Sequence, residues 1–416
     1  MAWSARQAED YRLGLELFGM RFGLDRMHKL MTALGMPQQR FAQIHVVGSN
    51  GKSSTVRFIA AILERHGLRT GSYTSPHLTS FSERIEVGEQ PIDEERLGTA
   101  VQRAAQAAEA IERTLDADDR ITQFEALTAA AFHELAARRV QVAVIEAGLG
   151  GRHDATNVIP SKVQVLTGVS LEHTRWLGPT VTDIAEEKLA VVRDHATLVV
   201  GELDRDAMAV AERVALERHA RLVHAPEGVP DLPLRAAGDF QQRNFAVATV
   251  AAETFLERPL EPEALRNAAA ETLIRGRLDR VGERPVTFYD GAHNPAGAAA
   301  LAAALPGATD GRRPLVLVLS VLEDKDAAAM LGALVPGADH LVLTRCANPR
   351  ALSPATLEGL AVKLGAPPSE TVADPRAAVQ RARELAGEQG AVVATGSIYL
   401  IADLVREPGG QRASSL

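Results

Sequence analysis

A glycine-rich loop between an apolar run and a helix has the residue types that bind phosphate. The stretch Ile44–Val47, in which three of four residues are β-branched, suits a buried strand, and the apolar spacing over Val56–Glu64 predicts a helix. Glycines let backbone N–H groups turn toward an anion, and the helix N-terminus adds partial positive charge. A lysine can reach the β- and γ-phosphates, and a hydroxyl can approach their magnesium. We therefore predict phosphate binding by Ser49, Asn50, Gly51, Lys52, Ser53 and Ser54.

The loop departs from the full P-loop pattern at one position. Val46 stands six residues before Lys52, where the full pattern has glycine, but the shorter form Gly-x-x-Gly-Lys-Ser is present. Taken alone, the loop is also compatible with an ordinary strand–turn–helix unit. The polar residues at the ends of other predicted strands favour the phosphate site.

Ser75, Glu146 and His173 each fall at or just after the end of a predicted strand. These strands cover residues 69–74, 140–146 and 163–167, and helices are predicted over 93–115 and 122–138. Strands that alternate with helices build a parallel sheet, whose ligands bind at the carboxyl ends of the strands. We expect the three side chains to meet the phosphate loop at one edge. Alone, each has a plainer interpretation: a turn serine, a strand-end acid and a structural histidine.

A second α/β unit is predicted in the last third of the chain. Its strands cover residues 285–290, 314–319, 340–344 and 390–395, after a glycine- and charge-rich segment at 276–284. We predict an α/β protein with a P-loop-type, mostly parallel sheet domain in residues 1–282 and a smaller Rossmann-like α/β domain in residues 283–416. A helix over residues 5–35, broken near Gly19 and Gly23, precedes the phosphate loop, and the tail after Glu407 is predicted to be disordered.

Composition narrows the class of protein. A chain of 416 residues predicts two domains, and a formal charge of −8 argues against a general nucleic-acid surface. Cys346 is the single cysteine, which excludes an internal disulfide and a cysteine-based zinc site. No apolar run is long enough to span a bilayer, and the N-terminus has no apolar signal core. We expect a cytoplasmic monomer that binds neither membrane nor nucleic acid.

Several motifs follow one another in a characteristic order. They are Gly48–Ser54, Thr74–Leu78, Glu83–Ile85, Thr122–Glu125, Glu146–Arg152, Asp154–Asn157, His173–Thr174, Glu187–Lys188, Gly276–Arg277, Asp290–Pro295 and Asp324–Asp326. In this order the chain resembles the folylpolyglutamate synthase/dihydrofolate synthase family, a branch of the Mur ligases, from about Gly23 to Tyr399. The resemblance implies ATP- and Mg²⁺-dependent addition of L-glutamate to dihydropteroate or a reduced folate, through an acyl phosphate.

The resemblance also implies roles for individual residues. Ser49 to Ser54, with Asn244, Arg277 and Asp290, would bind ATP. Ser75, Glu146 and His173 match the magnesium ligands, although a histidine ligand suits Mn²⁺ better. Lys188 matches a lysine that is carbamylated and supplies oxygens to a second metal; its plainer interpretation is a solvated helix lysine. Lys52, His173 and Lys188 are the catalytic candidates.

Two further segments match the family's dihydropteroate contacts. They are Thr122, Gln123, Phe124 and Glu125, and His153, Asp154 and Ala155. Phe124 either stacks on a pterin or fills core, and Ser397 either holds glutamate or caps a helix. The chain departs from the family pattern at Ser49, Ser53, His153, Glu172, Arg175 and Gly291.

Three other functions stay open at this point. A Mur-type ligase acting on another carboxylate, such as a peptidoglycan precursor, would share the phosphate and metal residues but not the pterin segments. A regulatory protein would bind ATP without turnover. A simple P-loop kinase would leave the Asp-x-Ala-His-Asn-Pro motif unexplained.

Overall fold

A computed structural model describes residues 3–15, 23–116, 119–229 and 232–406. Gly19 and the tail after Glu407, on which two of the predictions fall, lie outside these residues. The described chain forms two α/β units, each built on its own sheet. No helix among these residues combines the length and apolar character needed to cross a bilayer.

The N-terminal unit is built on a sheet of eight strands in the order β4-β3-β2-β5-β1-β6-β7-β8. The strands are β1 (Ala42–Val47), β2 (Thr70–Tyr73), β3 (Ile85–Val87), β4 (Gln90–Pro91), β5 (Val142–Glu146), β6 (Val163–Leu166), β7 (Thr197–Val200) and β8 (Arg221–His224). The short β3 and β4 run antiparallel, and the other neighbours are parallel. On β1, Ile44 lies opposite Val144 of β5 and Val163 of β6. Apolar side chains on both faces of these central strands explain why they read as continuous apolar runs.

Helices cover both faces of this sheet. They are α1 (Ala5–Gly14), α2 (Asp25–Ala33), α3 (Lys52–Arg65), α4 (Glu94–Glu112), α5 (Gln123–Ala137), α6 (Thr174–Leu177), α7 (Val181–Leu189), α8 (Arg205–Glu217), α9 (Asp239–Leu256) and α10 (Pro262–Glu271). One core lies between the sheet and α3 and α9, where Phe58 and Phe245 meet edge to face with centroids 5.1 Å apart. This packing fixes α3, and with it the phosphate loop at its N-terminus.

The C-terminal unit has a six-stranded sheet in the order β13-β12-β11-β14-β10-β9. Its strands are β9 (Asp279–Glu283), β10 (Val286–Tyr289), β11 (Leu315–Leu319), β12 (His340–Leu343), β13 (Ser369–Thr371) and β14 (Ala391–Thr395). Its helices are α11 (Pro295–Ala308), α12 (Ala327–Leu334), α13 (Pro354–Lys363), α14 (Pro375–Ala386) and α15 (Ile398–Val405). Only β9 runs antiparallel to its neighbour. The predicted boundary at 282/283 falls within β9, which pairs with the second sheet.

The two units touch through polar and apolar contacts. Asn50 and Asn294 exchange two amide hydrogen bonds, at 3.3 and 3.0 Å. Leu78, from the loop after β2, is buried in the same apolar cluster as Leu400 and Ile401 of α15. These contacts place the phosphate loop opposite the N-terminus of α11, across a cleft.

Candidate functional site

The phosphate loop has the predicted geometry. It joins β1 to α3, and α3 begins at Lys52. Gly51 has a φ of +82°, a left-handed conformation that glycine adopts without strain. The ammonium of Lys52 donates to the carbonyls of Gly48 and Ser49 at 2.9 and 3.1 Å. Lys52 therefore lies across the loop mouth, next to the free N–H groups of a helix N-terminus.

Asn244 of α9 packs directly against this loop. A Cβ added at Gly51 would lie 2.3 Å from Asn244 Oδ1, which is too close for any side chain. The Asn244 amide in turn donates to Gln241 Oε1 at 3.0 Å. Asn244 is distant from the loop in sequence, and the packing of α9 on α3 brings the two together.

Glu146 lies at the carboxyl end of β5, facing the phosphate loop. Its carboxylate accepts from the Ser53 hydroxyl at 3.0 Å and from the Ser75 backbone N–H at 3.1 Å. Burial raises the pKa of Glu146, and the charge of Lys52 and these hydrogen bonds oppose that rise. Ser53, which departs from the family pattern, therefore contacts the carboxylate predicted to bind metal.

Lys188 of α7 is buried and forms an ion pair. Its ammonium lies 2.8 Å from Glu172 Oε1 and 2.9 Å from the Gly48 carbonyl. Burial lowers the pKa of Lys188, whereas the carboxylate of Glu172 acts in the opposite direction. For Glu172, burial raises the pKa, but Lys188 and then Lys52 outweigh that effect and bring it to about 2. The interpretation of Lys188 as a solvated helix lysine is therefore wrong, because only 2% of its side chain is exposed.

His173 follows Glu172 and caps α6 in a left-handed conformation, with φ +47°. Burial lowers the pKa of His173 to about 4, with a further contribution from Lys325 of the C-terminal unit. The imidazole is therefore neutral at physiological pH and has a nitrogen lone pair available. Among the described residues, no group of three or more His, Cys, Asp and Glu side chains is arranged as a metal site. The predicted ligand set contains only two residues of these types, with Ser75 as the third ligand.

Phe124 and Asp154 flank the same small space above Gly148. A Cβ at Gly148 would lie 2.5 Å from Phe124 Cζ and 3.1 Å from Asp154 Oδ2. Phe124 is half-buried and stacks on Tyr73, with centroids 6.3 Å apart and planes at 30°. His153 and Ala155 line the cleft beside them. The ring face and the carboxylate form a wall that suits a flat ligand with N–H donors.

Other residues of the predicted pterin segments have structural partners. Thr122 and Glu125 form a capping box at the start of α5. Glu125 also accepts from Arg26 Nε at 3.0 Å, and Arg26 pairs with Asp119 at 2.9 Å. Gln123 is buried and does not line the cleft, although Thr122 and Glu125 do.

The C-terminal unit contributes a carboxylate and a guanidinium. Asp290 follows β10, and its carboxylate accepts from the backbone N–H groups of Leu278 and Ala292, both at 2.7 Å. Burial raises the pKa of Asp290, and the charge of Arg277 lowers it. A Cβ at Gly291 would lie 2.3 Å from Arg277 Nη1. Glycine at this position, another departure from the family pattern, leaves room for the guanidinium.

These residues line one interdomain cleft of about 1950 Å³. Every predicted site residue except Gln123 lines it. A pocket for one small ligand has a volume of roughly 300–1,000 Å³. The cleft therefore has room for several ligands at once.

Comparison with known proteins identifies the family. Residues 276–398 match the Mur ligase glutamate ligase domain. The chain is 37% identical over 362 residues to folylpolyglutamate synthase of Lacticaseibacillus casei, covering 80% of this chain and 84% of that protein. The chain belongs to the folylpolyglutamate synthase/dihydrofolate synthase family.

Solved structures of the folylpolyglutamate synthase/dihydrofolate synthase family have the same architecture. Mycobacterium tuberculosis folylpolyglutamate synthase complexed with ADP superposes with a TM-score of 0.89 at 32% identity, covering 97% of this chain and 99% of that one. The Escherichia coli protein in complex with DHPP and ADP gives a TM-score of 0.85 at 28% identity, with 96% of each chain covered. The predicted fold class is therefore confirmed.

The cleft of this family member also contains residues that sequence analysis did not place in a site. They are Arg243, Asn294, Lys325, Arg350 and Tyr399. Lys325 follows β11 in the Asp-Lys-Asp motif, so its position after a strand was a usable signal. Arg243 precedes Asn244 on α9 and had no such signal. Ser397 caps α15 by accepting from the Tyr399 N–H, and it also lines the cleft, so both of its interpretations remain compatible with the structure.

Proposed function

We propose that this protein is an ATP-dependent ligase that joins L-glutamate to dihydropteroate and to reduced folates. One observation carries the proposal: a phosphate loop, a buried carboxylate and an aromatic–carboxylate wall face the same interdomain cleft. Several relatives of this chain are named dihydrofolate synthase/folylpolyglutamate synthase, including the Mycobacterium tuberculosis protein at 34% identity. A cytoplasmic monomer remains our expectation for its working state.

ATP would lie with its phosphates on the loop from Ser49 to Ser54. Lys52 would neutralise phosphate charge, and the N-terminus of α3 would add backbone donors. Asn244 supports this placement because it packs on Gly51. From the second unit, Arg277 and Asp290 would contact the nucleotide from the opposite side of the cleft.

The donor chemistry around Glu146 fits Mg²⁺. A buried carboxylate needs a compensating cation, and oxygens of Glu146 and Ser75 are the hard ligands that Mg²⁺ prefers. His173 would complete the set as a neutral nitrogen donor, which Mn²⁺ also accepts. When bound, the metal would neutralise charge on the phosphates.

The chain would promote the reaction mainly by positioning the reactants, without forming a covalent bond to them. A pteroate or folate carboxylate oxygen attacks the γ-phosphorus of ATP, the bond to ADP breaks, and an acyl phosphate forms. The amine of glutamate then attacks the acyl carbon, the C–O bond to phosphate breaks, and the amine releases a proton as the amide forms. The chain would hold the three ligands in line and neutralise phosphate charge, which is the main requirement of phosphoryl transfer.

Lys188 is proposed as the carbamylated residue of this site. Carbon dioxide reacts with a neutral amine, and burial lowers the pKa of Lys188 in that direction. The ion pair with Glu172 opposes the reaction, since it stabilises the ammonium. Mass spectrometry tests for the carbamate, on protein incubated with bicarbonate and then treated to trap the modification. We expect the added mass of one carbon dioxide on Lys188 and on no other lysine.

The function is tested by ADP release with ATP, Mg²⁺ and L-glutamate, measured separately with dihydropteroate and with tetrahydrofolate. We expect turnover with both acceptors and a product heavier by one glutamate residue. Turnover with one acceptor would assign a single activity. Tight ATP binding without turnover on either acceptor would overturn the folate assignment in favour of another Mur-type carboxylate or a regulatory role.

A matched pair of variants separates the site from general stability. Glu146→Gln removes the cleft carboxylate, and we expect turnover to fall at least about a hundredfold, as for other groups that stabilise phosphoryl transfer. Glu134→Gln changes a similarly buried glutamate of α5 that does not line the cleft. We expect Glu134→Gln to keep near-native turnover.

A further inference from the structure

A buried histidine on β1 contacts the candidate pterin wall through a threonine. His45 and Thr156 are both fully buried. His45 Nε2 lies 2.8 Å from Thr156 Oγ1, and the Thr156 hydroxyl donates to Asp154 Oδ1. His45 comes from β1, whereas Asp154 and Thr156 belong to one turn, and together they form a continuous hydrogen-bonded path from the sheet to the cleft.

The direction of each hydrogen bond follows from the donors available. Asp154 Oδ1 also accepts the Thr156 backbone N–H at 3.0 Å, and Oδ2 accepts the Leu149 N–H at 2.9 Å. Burial raises the pKa of Asp154, and these hydrogen bonds oppose that rise. Because each carboxylate oxygen already accepts an N–H group, the single hydroxyl proton of Thr156 points to Asp154 Oδ1. The hydroxyl oxygen must then accept from His45, which requires the Nε2–H tautomer.

The surroundings of His45 leave its ring one role, that of a hydrogen-bond donor to Thr156. Burial lowers the pKa of His45 to about 3, with a smaller contribution from Arg193, so the ring is neutral. Its other nitrogen, Nδ1, has no hydrogen-bond partner among the described residues. The neutral ring therefore has a single N–H group, and Thr156 Oγ1 accepts its hydrogen bond.

We propose that His45 and Thr156 are positioning residues that fix the Asp154 carboxylate for the N–H donors of the pteridine ring, an inference that rests on the proposed function. Their hydrogen bonds occupy Oδ1 and orient the carboxyl group. Oδ2 then lies beside Gly148 and Phe124, on the cleft side. A pteridine with a 2-amino-4-oxo edge presents N–H groups, and Oδ2 of the fixed carboxylate can accept a hydrogen bond from one of them.

The test compares variants that delete one hydrogen bond with variants that keep it. Thr156→Val removes the hydroxyl at nearly constant volume, and Thr156→Ser retains it. His45→Leu removes the donor, and His45→Gln retains an N–H at a similar reach. Thr309→Val is a matched control, because Thr309 is a buried threonine with one side-chain hydrogen bond, to Leu305 O, and does not line the cleft.

We expect the deleting variants to raise the KM for dihydropteroate about tenfold or more, the effect of losing a hydrogen bond that supports a charged group. Their kcat and their KM for ATP should change little, because the lost interaction serves binding at a distance from the reacting carboxylate. Thr156→Ser, His45→Gln and Thr309→Val should stay within about threefold of the native KM. A purely structural role would move both KM values together.

The proposal fails if folded Thr156→Val binds dihydropteroate as the native protein does, or if its ATP affinity falls equally. A native protein that binds no pterin would instead overturn the proposed function. A measurement on the native chain covers the case in which Thr156→Val and His45→Leu do not fold. With ¹⁵N-labelled histidine and a non-hydrolysable ATP analogue present throughout, the His45 Nε2–H signal, assigned with His45→Gln, should shift when dihydropteroate is added. An unchanged signal at saturating dihydropteroate contradicts the proposal.

Discussion

Gly51 and Gly67 both have left-handed backbone conformations, yet only one of them contacts a neighbouring side chain. Their φ values are +82° and +85°. A Cβ at Gly51 would lie 2.3 Å from Asn244 Oδ1, whereas nothing lies within 4 Å of one at Gly67. Both positions therefore need a residue that tolerates a positive φ. Only Gly51 must also lack a Cβ, because Asn244 lies so close to it.

This difference predicts distinct effects of two alanine substitutions. Gly51→Ala should displace Asn244 and the loop, and weaken ATP binding by about a hundredfold or more, the scale expected from strained backbone plus lost phosphate contacts. Gly67→Ala should cost about 1 kcal/mol of folding free energy through its positive φ and leave ATP binding unchanged. Calorimetric titration with ATP and chemical denaturation measure the two effects. Equal ATP affinities in the two variants would contradict the placement of the nucleotide.

His45 gives the stability a defined pH dependence. Its pKa is lowered from 6.5 to about 3 by burial and by Arg193, so between these values the unfolded chain binds a proton that the folded chain does not. The stabilisation is complete above pH 6.5 and is lost as the pH falls toward 3.

We expect the free energy of unfolding to fall by about 1.4 kcal/mol per pH unit from this residue below pH 6.5. His45→Gln should remove that part of the slope, because glutamine does not titrate. Urea denaturation of both proteins at pH 7, 6 and 5 gives the comparison. Parallel slopes for the two proteins would show that His45 does not titrate on unfolding.

At the scale of elements, a buried ion pair ties α2 to the start of α5. Arg26 of α2 donates to Glu125, whose other partner is the backbone N–H of Thr122 in the capping box. Both side chains of the pair are less than 10% exposed. The pair therefore orients the helix that presents Phe124 to the cleft.

Glu125→Gln should destabilise the fold by roughly 2–3 kcal/mol, because glutamine can still cap α5 but leaves the Arg26 guanidinium with less charge compensation. Glu217→Gln removes one partner of an exposed pair with Arg213 and serves as the control. We expect no measurable change there, since exposed pairs contribute little. Denaturant unfolding compares both variants with the native chain. A Glu125→Gln variant as stable as the native chain would contradict a structural role for the buried pair.

At the scale of the whole molecule, the exchange of amide hydrogen bonds between Asn50 and Asn294 joins the phosphate loop to the second domain. Asn294 has a second role, since its Oδ1 accepts from the Gly297 N–H at 2.7 Å and caps α11. One side chain thus sets both the start of a helix and the distance between the domains.

Two substitutions separate these roles. Asn294→Ser should keep the cap but lose the reach to Asn50, so we expect near-native stability and about a tenfold lower kcat from less exact domain closure. Asn294→Ala should lose both, with a further cost of about 1 kcal/mol in stability. Steady-state kinetics and thermal unfolding test this. A native kcat for Asn294→Ser would show that the amide exchange is not needed for turnover.

The sequence by itself determined the element types and the loops that carry chemistry. Apolar runs and helical patterns predicted β1, β5, β11, β14 and the helices α3, α4 and α5, because local periodicity follows burial directly. The strands β3, β4, β9 and β13 were not predicted, since they contain few apolar residues and their pairing is set by the neighbouring strand.

Only the tertiary structure decided which residues contact each other within the site. Asn244 meets Gly51 because α9 packs on α3, and Asn294 meets Asn50 because the domains face each other. Lys188 is buried beside Glu172, although its sequence surroundings of helix and acids are equally typical of a solvated lysine. The physical reason is the same in each case. The periodicity of apolar residues indicates which side chains are buried, but it does not indicate their partners. Those partners are determined by packing between segments that are remote in sequence.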